Sequence, residues 1–130
     1  MRTGFPAVSL DYRLAPEHPS PAGFQDGVAA YRELLAGGIA PESIAFAGDS
    51  AGGGLTVTTA LAARDAGLPL PGAVVAFSPG LDHTRSGTTM DTEAGIDPFF
   101  TRGGMQHTGE MYLAGQDAQQ ELASPRCWPT

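Results

Sequence analysis

The sequence predicts an α/β fold in which a partial parallel sheet is covered by helices. Three short apolar runs are typical of buried strands, at residues 7–12, 43–47 and 72–78. Two longer segments with helical character separate them, at residues 22–36 and 55–66. Strands that alternate with helices pair in parallel through right-handed crossovers, and continuously apolar strands are normally covered on both faces. We therefore expect a β-α-β-α-β core with helices on both sides of the sheet.

The first predicted strand leads into a loop defined by its prolines. Pro16, Pro19 and Pro21 lie within six positions, which excludes both a helix interior and a central strand. The first helix follows this loop and ends at two glycines, Gly37 and Gly38. Its apolar residues recur at helical spacing: Phe24, Val28, Tyr31 and Leu35.

The other elements are also bounded by glycine and proline. Pro41 introduces the second strand, Gly67 ends the second helix, and Pro79 ends the third strand. A chain of 130 residues holds at most one domain, here a partial one, with the β-α-β-α-β core in residues 1–82.

Residues 83–130 form a polar loop and short-helix segment. Thr101 is placed to cap a short helix in this segment. The apolar residues of that helix are expected to pack rather than to bind a ligand: Met105, Met111, Tyr112 and Leu113.

The charge and cysteine content exclude several classes of function. The net charge is −7, with no lysine, which disfavours a nucleic acid or an anionic membrane as partner. No apolar run approaches membrane-spanning length, and the N-terminus lacks the apolar core of a signal peptide, so we expect a cytoplasmic protein. Cys127 is the only cysteine, which rules out an internal disulfide and indicates an ordinary free thiol.

A serine lies where the second strand turns into the second helix. The segment G-D-S-A-G-G at residues 48–53 fits the nucleophile-elbow pattern G-x-S-x-G, in which a tight turn exposes the serine hydroxyl. The first N–H groups of a helix are unpaired and carry positive partial charge, so both favour an oxyanion. Ser50 is therefore the candidate nucleophile and the Ala51 N–H a candidate oxyanion donor. The plainer alternative is a glycine-rich turn without chemistry.

A serine hydroxyl needs a base, which is usually a histidine oriented by a carboxylate. In elbow hydrolases both follow the serine in sequence, which leaves His83 and His107 as candidate bases. The candidate carboxylates after Ser50 are Asp82, Asp91, Glu93, Asp97, Glu110, Asp117 and Glu121. A triad of Ser50, Asp82 and His107 is one arrangement that the sequence allows, whereas His18 precedes the serine and is expected to be structural.

Three segments together resemble the hormone-sensitive-lipase-like α/β-hydrolases. They are D-Y-R-L-A-P-E-H-P at residues 11–19, G-D-S-A-G-G at residues 48–53, and F-S-P at residues 77–79 followed by Asp82. The resemblance implies an α/β-hydrolase fold and hydrolysis of small carboxylic esters, such as short acyl esters, acetyl esters or lactones. It implies Ser50 as nucleophile, Ala51 as oxyanion donor, and no metal or organic cofactor. It also implies that Asp49 and the loop at residues 12–17 brace the elbow.

The chain also departs from this family's pattern. It lacks the His-Gly-Gly-Gly loop that supplies the second oxyanion donor upstream, and neither Asp82 nor Asp97 matches the family's catalytic aspartate. We therefore expect the central portion of a serine esterase, with little turnover by itself. The alternatives are a non-catalytic remnant that acts as a binding module, or a self-sufficient hydrolase that uses Asp82 and His107. Unpaired sheet edges also predict self-association.

Overall fold

The computed structural model describes residues 4–88, 92, 95–97 and 99–125. Asp91, Glu93 and Cys127 lie outside the described residues. The elements in chain order are α1 (Ala22–Ala36), a 3₁₀ turn (Pro41–Ser43), β1 (Ala45–Asp49), α2 (Ala51–Asp65), β2 (Ala73–Phe77) and α3 (Arg102–Leu113). No helix in these ranges is long and apolar enough to cross a membrane.

The two strands form a parallel sheet, as predicted. Their register runs from Ala45 beside Ala73 to Asp49 beside Phe77, and α2 is the crossover between them. The prediction of a first strand at residues 7–12 is wrong, since these residues have no regular secondary structure. A strand is held by hydrogen bonds to a neighbouring strand, and no described segment pairs with this run, in which Val8 is 75% exposed.

Both α1 and α2 lie on one face of the sheet. The ring of Tyr31 on α1 meets the ring of Phe46 on β1 edge to face, with centroids 4.9 Å apart. The Tyr31 hydroxyl donates to the Pro69 carbonyl at 2.9 Å, so its polar end is satisfied within the core. Tyr31, Ile44 and Ala63 form the centre of this core.

No helix among the described residues covers the opposite face of the sheet, contrary to the expectation of helices on both sides. Side chains alternate along a strand, so Val75 and Phe77 point away from the face that carries Phe46. Val75 is 42% and Phe77 62% exposed. The helices α1 and α2 pack against each other, which places both on the same side of the sheet.

The last helix is tied to the proline-rich loop. Its predicted cap is confirmed, because Thr101 Oγ1 accepts a hydrogen bond from the Gly104 N–H at 3.2 Å. At the other end of α3 the Tyr112 carbonyl accepts from the Ser20 N–H at 2.8 Å. The bond between Ser20 and Tyr112 holds α3 beside the loop that precedes α1.

Candidate active site

Ser50 occupies a strained turn between β1 and α2. Its φ of 52° and ψ of −115° lie where side-chain-bearing residues are rarely found and where strain of about 1–3 kcal/mol is typical. Its N–H donates to the Phe77 carbonyl at 2.9 Å, while its carbonyl accepts from Gly54 at 3.0 Å and Gly80 at 3.3 Å. The strand end, the helix start and the loop after β2 therefore fix this backbone, and the residue itself is exposed.

Close backbone approach explains two of the glycines around Ser50. A β-carbon at Gly48 would collide with the backbone of Gly52, and one at Gly54 would lie 2.5 Å from the Gly80 carbonyl oxygen. A β-carbon at Gly52 would meet nothing within 4 Å. The helix α2 begins at Ala51, four residues before its predicted start, because packing against the strand ends imposes helical geometry on glycines that disfavour it.

The backbone of Ala51 is placed to stabilise negative charge. Ala51 is the first residue of α2, where N–H groups have no partner within the helix. No described group accepts a hydrogen bond from its N–H. An anion beside Ser50 would therefore meet one free donor and the positive end of the helix dipole.

A cavity of about 340 Å³ opens beside Ser50. Its walls come from the proline-rich loop, the start of α2, the loop after β2, and α3. The side chains of interest around it are Tyr12, His18, Asp82, His83, Arg85 and Tyr112. The cavity thus lies at the carboxyl ends of the parallel strands, where ligands bind in open α/β sheets.

An ion pair anchors the proline-rich loop at this cavity. Arg13 Nη2 lies 2.7 Å from Asp26 Oδ1, and the Arg13 N–H donates to Asp26 Oδ2 at 2.9 Å. Hydrogen bonds from the Arg13 side chain and backbone hold the pKa of Asp26 below its ordinary value. The loop is thereby fixed to the second turn of α1, next to Ser50.

Asp82 lines the cavity, but its carboxylate is hydrogen-bonded to residues of its own loop. Its carboxylate accepts hydrogen bonds from the N–H groups of Thr84 at 2.9 Å, Arg85 at 3.2 Å and Ser86 at 3.1 Å, and from the Thr84 hydroxyl. This is the Asx type of turn that an aspartate forms with following backbone groups. Asp97 forms the same type of turn, since its Oδ1 accepts hydrogen bonds from the N–H groups of Phe99 and Phe100.

The candidate triad with His107 is not assembled. Met105, Thr108, Gly109 and Tyr112 face the cavity from α3 at helical spacing. His107 follows Met105 by two positions, about 200° around the helix, so it is exposed on the far side. The alternative in which Asp82 and His107 complete a triad with Ser50 is therefore not seen in this structure.

The other two histidines border the cavity without bonding the serine. His83 is partly buried, stacks on Tyr112 with centroids 4.9 Å apart, and has its pKa lowered by burial and then by the charge of Arg85. His18 lies at the exposed rim, and its backbone N–H donates to the Leu14 carbonyl at 2.8 Å. This bond does not involve the imidazole, so the structural role of His18 stays a prediction. Among the described residues, none hydrogen-bonds the Ser50 hydroxyl.

The remaining candidate carboxylates have partners away from Ser50. Glu110 accepts from Gln106 at 2.9 Å, Asp117 from the Gln119 N–H at 2.9 Å, and Glu121 lies 2.8 Å from Arg64. Asp49 is exposed on the open face of the sheet, and no hydrogen bond joins its side chain to another described residue. The bracing role expected of Asp49 is therefore not seen.

Tyr112 and Arg85 line the cavity, although neither was predicted as a site residue. The i, i+3, i+4, i+7 spacing of α3 could have placed Tyr112 on one face with Met105. Arg85 carries no such signal, because it lies in a loop with a φ of 54°, in the left-handed region.

Comparison with known proteins agrees with this fold. Residues 1–128 match a family model described as the alpha/beta hydrolase fold. An acetyl-hydrolase of Streptomyces hygroscopicus is 43% identical over 122 residues, which cover 94% of this chain and 41% of the relative. A carboxylesterase of Mycobacterium tuberculosis is 54% identical over 69 residues, 48% of this chain and 21% of the relative.

Solved structures give the same result. An esterase from the bacterial hormone-sensitive lipase family matches with a TM-score of 0.84 and 49% identity, over 88% of this chain and 39% of that one. A hormone-sensitive lipase from a metagenome library matches with a TM-score of 0.85 and 42% identity, over 91% of this chain and 40% of that one. The chain thus spans about two fifths of these proteins, and it belongs to the hormone-sensitive-lipase-like α/β-hydrolases.

Proposed function

We propose that Ser50 is the nucleophile of a carboxylic-ester hydrolase. The observation that carries this proposal is the strained strand-to-helix turn, which exposes Ser50 at a cavity beside the free Ala51 N–H. The relatives named as acetyl-hydrolase and carboxylesterase support an ester as the substrate.

The proposed reaction proceeds in two halves. Ser50 Oγ attacks the ester carbonyl carbon while its proton passes to a base, and the Ala51 N–H donates to the oxyanion that forms. The tetrahedral species expels the alcohol, which takes that proton, and leaves an acyl group on Ser50. Water then attacks this acyl-enzyme, releases the carboxylic acid and restores the hydroxyl.

The base, its carboxylate and a second oxyanion donor are proposed to come from outside the described residues. Two observations support this proposal. His107 is exposed on the side of α3 away from the cavity, and no described residue hydrogen-bonds the Ser50 hydroxyl. A general base contributes about 10²–10⁴-fold and one oxyanion donor about 10²–10³-fold. We therefore expect little turnover from the 130-residue chain alone.

The substrate is proposed to be a small ester, such as a short acyl ester, an acetyl ester or a lactone. A cavity of about 340 Å³ is at the lower end of the range for ligand sites. A cytoplasmic location stays a prediction.

A chimera tests the proposed function. Residues 1–130 replace the matching stretch of the Streptomyces acetyl-hydrolase, so that the relative supplies the flanking segments. We expect a folded chimera to hydrolyse p-nitrophenyl acetate, and Ser50→Ala to lower kcat by about 10⁴-fold or more. The matched control His107→Ala should keep the rate. A folded but inactive chimera, or turnover that survives Ser50→Ala, would contradict the proposal.

A further inference from the structure

One cation in the cavity has no ionic partner among the described residues. The Arg85 side chain lines the same cavity as Ser50 and is partly buried. The other cavity arginine, Arg13, is neutralised by Asp26 at 2.7 Å. No described carboxylate lies within 4 Å of the Arg85 guanidinium.

The backbone of Arg85 is held in place. Its φ of 54° is uncommon for a side-chain-bearing residue. Its N–H donates to Asp82 Oδ1 at 3.2 Å, within the same turn that binds Thr84 and Ser86. The loop therefore fixes the backbone from which the Arg85 side chain extends to the cavity.

The helix opposite leaves room for the guanidinium. A β-carbon at position 109 would lie 2.7 Å from Arg85 Nη2, so glycine at this position lets the side chain lie against α3. Burial lowers the pKa of Arg85, while the charge of Asp82 acts in the opposite direction. A partly desolvated guanidinium gains more from a carboxylate partner than one in bulk water.

Asp82 offsets part of this positive charge at a distance, so net charge alone does not favour an anion here. Its carboxylate accepts hydrogen bonds from Thr84, Arg85 and Ser86 of its own loop. Recognition therefore depends on direct donation from the guanidinium, whose planar fork matches a carboxylate.

We propose that Arg85 selects esters that carry a carboxylate, such as monoesters of short dicarboxylic acids, by binding that carboxylate in the cavity beside Ser50. This inference rests on the proposed function in one respect, namely that the ligand carries an ester group in addition to the carboxylate. The carboxylate subsite itself does not depend on the chemistry at Ser50.

A binding comparison in the full 130-residue chain tests this subsite. Monomethyl succinate and the neutral dimethyl succinate are titrated separately, while the ¹⁵N signal of the Arg85 Nε–H is followed by NMR. We expect the monoester to bind roughly tenfold more tightly, equivalent to about 1.4 kcal/mol, and to shift that signal. Added salt should weaken binding of the monoester alone.

Variants of the same titration isolate Arg85. Arg85→Gln should abolish the preference, and Arg85→Lys, which keeps the charge without the fork, should retain part of it. Arg32→Gln removes the same charge from an exposed position on α1 and should leave the preference intact. Circular dichroism establishes that each variant is folded. Equal affinities for the two esters in the unmodified chain, or a preference that survives Arg85→Gln, would overturn the proposal.

The two proposals fail separately. The preference should persist in Ser50→Ala, since the subsite needs no hydroxyl. Equal affinities for the two esters in the unmodified chain would therefore refute the role of Arg85 alone, whereas a folded but inactive chimera would refute the ester chemistry alone.

Discussion

At Ser50, the backbone conformation that exposes the hydroxyl costs stability. Its positive φ suits glycine, because glycine has no β-carbon to clash with the backbone. We predict that Ser50→Gly is more stable to urea than Ser50→Ala by about 1 kcal/mol or more, since only glycine relieves the strain. Neither variant should react with a serine-directed probe. Equal stabilities would show that the turn is not strained.

The glycines beside Ser50 differ in what they tolerate. Gly48→Ala forces backbone against backbone and should lower the free energy of unfolding by about 1–3 kcal/mol. Gly52→Ala adds a methyl group to open space in the first turn of α2 and should be neutral or slightly stabilising. Urea unfolding of both variants measures the contrast. Equal losses at the two positions would contradict the observed close approach.

At the scale of elements, the pair between Arg13 and Asp26 makes the attachment of the proline-rich loop to α1 depend on pH. Because the folded-state pKa of Asp26 is lowered, its stabilising effect is complete above its unfolded pKa of about 4 and is lost as the pH falls through the lower folded value. The unfolding free energies of the unmodified chain and Asp26→Asn should therefore differ at pH 6 and converge towards pH 2. A difference that does not change with pH would argue against this ion pair.

The elements also show what sequence alone can predict. The bounds of α1 follow from its apolar spacing and from Gly37, and they are confirmed. The first turn of α2 was missed because Gly52 and Gly53 disfavour a helix in isolation and are held in one by contacts with the strand ends. The run at residues 7–12 has the composition of a strand, but a strand exists only where a neighbouring strand pairs with it.

The site was predicted only in part, because some of its residues are placed by the local sequence and others by packing between distant elements. Ser50 and Ala51 occupy local turn positions that a motif can encode, and the structure places both at the cavity. The orientation of His107 and the entry of Arg85 into the cavity depend on how α3 and a loop pack. No local pattern around either residue specifies that packing.

In the whole molecule, the open face of the sheet is the surface that most favours association between copies of the chain. Apolar side chains such as Val75 and Phe77 are exposed there, and each strand has one edge without a partner among the described residues. Such surfaces promote association. We predict concentration-dependent oligomers in sedimentation velocity runs, and that Val75→Lys reduces them.

Leu70→Lys provides the matched control, because Leu70 is 55% exposed but lies outside the sheet. This variant should associate as the unmodified chain does. A monodisperse monomer that melts cooperatively would contradict the predicted self-association.

The labelling rate of Ser50 by a fluorophosphonate probe shows whether the chain holds an exposed nucleophile whose base lies outside the described residues. Intact-protein mass spectrometry gives this rate for the 130-residue chain and for the chimera. We predict labelling in the chimera roughly 100-fold or more faster than in the isolated chain, as expected when a general base is restored, and none in Ser50→Ala. Rapid labelling of the isolated chain that disappears in Ser50→Ala, or a folded chimera left unlabelled at Ser50, would contradict the account.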